Sequence, residues 1–379
     1  MDKRVILAVA GAGKTYHICH SIDPQKRNLI LAYTHENIHN INKELIAAHG
    51  HIPELTTVMT FDSFVYRYFI CPYEPTIAQH FGKNDFQSKG ITTVDPPRQT
   101  IEYNHRMVAN PKYQSKDRLG HYVTKGKQYY CATISELVMY VKKGRESIIK
   151  RGAARLNLFF DHVLIDEFQD FREYDYELIT ALSKHLDNIL LVGDYYQHSV
   201  SAKNNTGKPF KNKKEDVGYN AFVEELKRNG FSVDDTALNS SRRCPETICA
   251  FVREKLRINI KSAGINHGEI TWLTKERIGA VLDNSSIQKL VYSDASNYTF
   301  DAMNWSYSKG DTMEVACVIL TDRFEEMDTS GFSPAGISAS TINKLYVALT
   351  RSKGNLYLIK GSLFKKFKAS YTQKNDVIC

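Results

Sequence analysis

Two short runs of the sequence carry residue types suited to phosphate chemistry. Residues 8–15, AVAGAGKT, have the spacing of a phosphate-binding loop, with alanine where the first glycine is usual. In such a loop Gly11 and Gly13 bend backbone amides round an anion, Lys14 neutralises it, and the Thr15 hydroxyl holds Mg2+. The bland alternative is a chance glycine turn; a strand pattern before the run and a helix pattern after it favour the loop. The second run is DEFQD. Asp166 and Glu167 follow the apolar VLI, so both carboxylates leave the C-terminal end of a strand. Such a pair can divide its work, Asp166 towards the metal and Glu167 towards the attacking water. An acidic pair alone is usually a solvated helix start, so the conjunction of the two runs carries the reading.

Positioning these residues calls for a parallel sheet. Residues 5–8, 28–32 (NLILA), 161–165 (DHVLI) and 188–192 (NILLV) are apolar runs of strand length, each followed by a glycine turn or by polar residues. Residues 17–22 read as the helix behind the first loop, and strands alternating with helices imply an α/β fold. Past a polar loop at 203–214 and an amphipathic helix at 219–227, a second α/β block starts near Phe231, with strands expected at 288–292, 315–320 and 356–359. Residues 65–158 have another texture, rich in Tyr, Lys, Arg and His, and read as an insertion. There is no internal repeat and no low-complexity tract.

The whole chain sets broad limits. With 379 residues, 42% of them hydrophobic, it can bury the cores of two domains. A net charge of +8 suits an anionic partner such as nucleic acid, although many proteins share it. The seven cysteines show no CxxC pair or zinc spacing, which fits a reducing, cytoplasmic setting. The first apolar run is cut short by the glycine turn, so no secretory leader is expected, and no stretch is apolar enough to span a bilayer.

DEFQD and the later YVALTRSK (346–353) resemble the second and sixth motifs of superfamily 1 helicases of the UvrD/Rep type. Other runs fall in that family's order: LAYTHEN (31–37), TFDSF (60–64), VGDYYQ (192–197), SRRCP (241–245) and YSKGDT (307–312). The insertion and the residues after about 361 carry no such motif. The resemblance implies two RecA-like P-loop NTPase domains with parallel sheets: residues 1–64 with 155–230, then 231–379, with the insertion at 65–154. It implies ATP and Mg2+ as ligands, with Ala10, Gly11, Ala12, Gly13, Lys14 and Thr15 cradling the phosphates and Thr15 and Asp166 holding the metal. Gln197 would sense the terminal phosphate, and Arg243 and Arg351 would reach it as arginine fingers; the bland reading of each arginine is a surface ion pair.

Departures from the family pattern also carry expectations. The family holds adenine between an arginine after the phosphate loop and a tyrosine before the fourth-motif arginine. Here Tyr16 and Arg242 stand at those places with the residue types exchanged, so the sandwich would keep its parts and swap its sides; alternatively Tyr16 packs on its own helix. No glutamine precedes the first strand to read the adenine edge, which leaves ATP over GTP unassigned. In the fifth motif Trp305 to Tyr307 and Thr312 replace a histidine and a ribose-binding glutamate, so Gly310 and Thr312 are the nucleotide contacts expected there. SVSAKNN (199–205) replaces an aromatic platform, a place that Tyr195 or Tyr196 would take.

For the nucleic-acid track the resemblance points to Thr34, His35, Asn37, Thr60, Phe61 and Ser63, with hydroxyls and amides on phosphates and aromatics on bases; Phe61 and Phe64 as ordinary core residues is the equal alternative. Lys112, Lys116, Arg118, Lys125, Lys127, Lys142, Lys143 and Arg145, interleaved with Tyr113, Tyr122, Tyr129 and Tyr130, would suit a strand- or duplex-contacting surface, a solvated charged face being the commoner meaning. Arg243 and Lys309 are 66 residues apart, too few for the extra domain of larger family members. The expected activity is ATP-dependent movement along single-stranded or tailed duplex DNA, 3′ to 5′ by analogy, with protein partners open. Two alternatives stand beside it: a nucleic-acid-stimulated ATPase that remodels complexes or signals, and a non-hydrolysing binding module. Strand displacement from a 3′-tailed duplex separates the first two.

Overall fold

The structure, a computed structural model, describes residues 2–141, 147–198, 207–212 and 215–373. Lys142, Lys143, Arg145 and the SVSAKNN run lie outside the described residues. The chain divides into two compact units. The first holds Met1–Val5, Thr15–Val192 and Gly207–Val233; the second holds Ile6–Lys14, Gly193–Thr206 and Asp234–Cys379.

Almost all of a six-stranded sheet belongs to the first unit. Its strands are β1 (Asp2–Leu7), β2 (Asn28–Ala32), β3 (Thr56–Thr60), β4 (His162–Asp166), β5 (Asn188–Gly193) and β6 (Ser232–Asp234), in the order β6-β1-β5-β4-β2-β3. β2 pairs parallel with β3 and with β4, and β4 parallel with β5. The Asp2 N–H donates to the Asp187 carbonyl and the Ala8 N–H to the Gly193 carbonyl, so β1 runs parallel to β5 as well. Every residue of β2 is buried, as expected of a strand covered on both faces, whose sequence is a continuous apolar run rather than an alternation.

Helix α1 (Lys14–Ser21) follows the glycine-containing loop after β1, and α2 (His35–His49) follows β2. Thr34 caps α2 and Gly50, at φ 79°, ends it by donating to the Ile46 carbonyl. The five-residue α3 (Phe61–Val65) leaves β3 directly.

Residues 65–154 belong to the first unit. They include a short parallel pair, Ile91–Thr92 with Tyr129–Tyr130, and an antiparallel hairpin, Thr100–Tyr103 with Arg106–Ala109. Asn104 and His105 turn that hairpin at φ 48° and 58°, the left-handed pair that a two-residue hairpin turn requires. Tyr122, Tyr129 and Tyr130 are buried. They form the interior of this stretch, so the basic-aromatic surface expected from the sequence loses three of its four rings.

The second unit contains a five-stranded sheet of β7 (Ile270–Trp272), β8 (Gln288–Val291), β9 (Ala302–Asn304), β10 (Ala316–Ile319) and β11 (Leu356–Ile359), in the order β7-β11-β10-β8-β9. All four pairings are parallel. Leu273, Ile278, Leu282 and Phe300 form one apolar cluster with Val291, Cys317, Ile319 and Ile359 of this sheet. Trp305, read as a fifth-motif residue, is fully buried and donates from its indole N–H to the Leu290 carbonyl at 3.1 Å. The α/β class with parallel sheets expected from the sequence is the class observed. Among the described residues no helix is long and apolar enough to cross a membrane.

Candidate active site

Carboxylate chemistry gathers at the C-terminal end of β4 in the first unit. Asp166 is buried; its Oδ2 accepts from the Thr15 hydroxyl at 2.7 Å and its Oδ1 from the Glu167 N–H at 2.9 Å. A hydroxyl and a carboxylate at that spacing are hard oxygen donors of the kind Mg2+ takes, so these two residues fit the cation expected of them. Glu167 has left-handed backbone, φ 55° and ψ 41°, a conformation that costs a residue with a side chain about 1–3 kcal/mol. The Gln169 amide donates to its carboxylate. Backbone strain retained at a carboxylate next to a hydroxyl–carboxylate pair is typical of a group held for chemistry.

The residues expected to meet phosphate lie, Thr15 apart, in the second unit. Gly11 and Gly13 stand at φ 72° and 84°, the region that favours glycine. Gly11 is also enclosed: a Cβ there would come within 2.7 Å of Arg243 Cβ and of Ser241 Oγ, and its carbonyl accepts from the Arg242 N–H at 2.9 Å. Gly11→Ala therefore meets both a backbone penalty and a clash. An added cost on the order of 1–2 kcal/mol should lower the urea midpoint of the chain; an unchanged midpoint would show that the loop does not hold this conformation. Lys14 is buried at the end of the loop.

Arg351 is buried too. Its Nε donates to the Val347 carbonyl at 2.8 Å, and Nη1 donates to the carbonyls of Ser308 and Asp311, both at 3.3 Å. Nη2 donates to the Thr350 hydroxyl at 3.4 Å. These partners, among the described residues, are all neutral oxygens. Arg243 Nη1 donates to the Thr350 carbonyl at 3.2 Å. Burial first, and then the charge of Arg243, bring the Arg351 guanidinium down to about 10. Two cations held together against their repulsion form a site that an anion would relieve. Gln197 closes the turn after β5, with its Nε2 donating to Asp194 Oδ2 at 2.8 Å.

The remaining expected nucleotide contacts are less gathered. Tyr16 is 45% exposed and stacks on His20 of its own helix at 3.8 Å between centroids, while Arg242 is an exposed residue of the second unit. Gly310, at φ 98°, and Thr312 are exposed and flank Asp311, whose carbonyl helps to hold Arg351. Tyr195 is buried and Tyr196 half-buried, edge-on to Tyr346, so neither offers an open platform.

In the first unit Tyr33, Thr34, His35, Thr60, Asp62 and Ser63 line a cavity of about 530 Å3 together with Ile91, Thr92, Thr93 and Cys131. Both threonine hydroxyls cap helices. Thr34 accepts from the Asn37 N–H at 3.1 Å and donates to Asn37 Oδ1 at 2.6 Å; Thr60 accepts from the Ser63 N–H at 3.2 Å and donates to Ser63 Oγ at 2.8 Å. Asn37 and Ser63 are thus engaged by their caps, and His35 stays exposed. Phe61 is corrected: its ring is buried against Phe171 at 4.8 Å and near Phe64 at 5.8 Å. It belongs to the core and is not placed to meet a base.

Sequence reasoning missed Arg172. Its guanidinium donates to Asp62 Oδ1 at 2.5 Å, to Asp175 Oδ2 at 2.6 Å and to the Cys131 carbonyl at 2.5 Å, and it lies 5.5 Å from the Tyr33 ring centroid. One cation thereby ties together three of the segments that line the cavity. The only sequence signal was its place just after DEFQD.

The model of the UvrD/REP helicase N-terminal domain matches residues 75–200, a span that includes DEFQD and VGDYYQ and most of residues 65–154. Among solved structures, Arterivirus nonstructural protein 10 (helicase) in complex with DNA is similar at a TM-score of 0.44 and 12% identity, over 94% of this chain and 60% of that one. A PRRSV helicase is similar at a TM-score of 0.43 and 13% identity, over 97% of this chain and 54% of that one. The chain thus spans little more than half the length of these structures. Comparison with the curated proteins finds no match.

Proposed function

We propose, from the match of residues 75–200 to the UvrD/REP helicase N-terminal domain, that the chain is an ATP-driven motor on nucleic acid, moving 3′ to 5′ along single-stranded DNA. The observation that carries this reading is the Thr15–Asp166 pair at 2.7 Å followed by the strained Glu167. Thr15 and Asp166 would hold Mg2+, which supplies charge neutralisation at the phosphates. Residues 10–15 cradle the phosphates, with Lys14 and the amides of Gly11, Gly13, Lys14 and Thr15 binding them while the Ala10 and Ala12 N–H groups are donated within the protein, and Arg243 and Arg351 take up the charge that develops on the transferred group. Glu167 orients the attacking water and accepts its proton, leaving ADP and phosphate.

Tyr16 and Arg242 are the residues proposed for adenine, and Gly310 and Thr312 for the ribose side. For the strand, the residues proposed are Thr34, His35, Thr60 and Ser63, which line the cavity, with Asn37 on the helix that Thr34 caps; their hydroxyls and polar side chains suit phosphate oxygens. Residues 1–64 with 155–230, and 231–379, would be the two RecA-like domains, with 65–154 as the insertion. A reducing, cytoplasmic setting goes with the six free cysteines among the described residues.

The test is ATP hydrolysis with and without single-stranded DNA, for the native chain and Lys14→Ala. Stimulation by DNA that weakens steeply as salt rises, and that Lys14→Ala removes, is the expected result. Hydrolysis indifferent to DNA would leave an ATPase with another partner, and none at all would leave a binding module.

A further inference from the structure

Three hydrogen bonds in the second unit run from the phosphate loop to Gln197. The Ala10 N–H donates to the Tyr346 hydroxyl at 2.8 Å, that hydroxyl donates to Asp194 Oδ2 at 3.3 Å, and the same oxygen accepts from Gln197 Nε2 at 2.8 Å. Ala10, Asp194, Gln197 and Tyr346 are all buried. Tyr346 projects from α4 (Ala339–Leu349), and Asn343, one turn earlier, donates to the His198 carbonyl at 3.1 Å. One face of a single helix therefore grips both the phosphate loop and the turn that carries Gln197.

The chemistry of the link asks for a phenol. It must accept from an amide on one side and donate to a carboxylate on the other, at the end of a side chain long and rigid enough to cross from helix to loop. Phenylalanine fills the same space and does neither. Burial, followed by the charge of Asp194, holds the hydroxyl well above its ordinary pKa, so its proton stays in place to be donated. With Nε2 of Gln197 directed at Asp194, the glutamine carboxamide has one orientation, and its Oε1 and second amide hydrogen keep fixed directions.

We propose that Tyr346 is a positioning residue for hydrolysis: through Asp194 it fixes the carboxamide of Gln197 in register with the phosphate loop. The inference rests on the phosphate-sensing role given to Gln197. The register is set before nucleotide arrives, so the glutamine need not be reoriented during the chemical step. Tyr346 then acts on turnover and leaves nucleotide affinity to Lys14 and the loop amides.

A double-mutant cycle on the full chain tests this, using Tyr346→Phe, Gln197→Ala and the double variant. ATP hydrolysis is measured at saturating single-stranded DNA, binding by titration with a fluorescent ATP analogue, and folding by the urea midpoint. Tyr346→Phe should lower kcat about tenfold to a hundredfold while KM and analogue affinity move by less than about threefold. The double variant should be no slower than Gln197→Ala alone, because both changes remove one interaction. Asp194→Asn, which keeps the shape and weakens the charge-assisted bonds, should give a smaller fall in kcat with the same KM, and it serves if Tyr346→Phe does not fold. Independent, multiplying losses in the double variant would overturn the link, as would an unchanged kcat in a folded Tyr346→Phe. Gln197→Ala with native turnover would overturn the role of Gln197 itself, and the inference with it. A slow Gln197→Ala beside a fast Tyr346→Phe would overturn only the link.

Discussion

Glu167→Gln should reduce nucleic-acid-stimulated ATP hydrolysis by about 10²- to 10⁴-fold, the contribution of a well-placed general base, and leave the affinity for nucleotide nearly unchanged. The amide keeps the size and hydrogen-bonding reach of the carboxylate but cannot accept the proton of the attacking water. Asp166 and Thr15 retain their contact at 2.7 Å, so the variant separates proton transfer from metal and phosphate binding. The backbone offers an independent check. At φ 55° Glu167 stores strain, and Glu167→Gly should relieve about 1 kcal/mol of it. A chain that gains stability as it loses turnover would show that the strain serves the chemistry. Full turnover in Glu167→Gln would instead make Glu167 an ordinary turn residue at the end of a strand.

What the sequence makes legible here is what periodicity and local spacing encode. NLILA is a strand from Asn28 to Ala32 because a strand covered on both faces tolerates five consecutive core residues. Leu356–Ile359 is where the apolar run places it for the same reason. Gly11 and Gly13 are readable because their left-handed backbone admits few other residues.

The directions in which side chains point are less legible. In TFDSF the aromatic and the polar residues look equally able to meet a strand. A five-residue helix turns Phe61 and Phe64 into the core and leaves Asp62 and Ser63 to line the cavity. Tyr122, Tyr129 and Tyr130 sit among lysines and arginines in sequence, yet their rings are interior while neighbouring charges reach outwards. Lys116, one of those charges, does so while paired with Glu136. Tyr346 and Arg172 stand inside or beside quoted motifs, but their partners are remote in sequence: Ala10 for the first, and Asp62 and Cys131 for the second. Local pattern cannot announce contacts of that range.

Arg172→Met should cost about 3–5 kcal/mol of stability at neutral pH, the usual effect of removing one partner from a buried ion pair. Its guanidinium serves Asp62, Asp175 and the Cys131 carbonyl at once, and methionine fills the volume without serving any of them. The pH dependence identifies the cause. Burial, with a further push from Asp175, already holds the Asp62 carboxyl above its ordinary value despite the opposing charge of Arg172. A carboxyl with a raised folded pKa binds its proton more tightly folded than unfolded. It therefore opposes folding increasingly as pH climbs from the ordinary aspartate value through the raised one, and that penalty is absent below the ordinary value. Loss of Arg172 raises Asp62 further and enlarges the penalty. The gap in urea midpoint between Arg172→Met and the native chain should accordingly be widest at neutral pH and narrow on acidification through the carboxylate range. A gap that is constant with pH would mean that the loss is one of packing alone. Nucleic-acid affinity should fall alongside stability, because Asp62 and Cys131, which Arg172 ties together, both line the cavity proposed for the strand. Single-strand binding that survives intact in the folded variant would place the strand elsewhere.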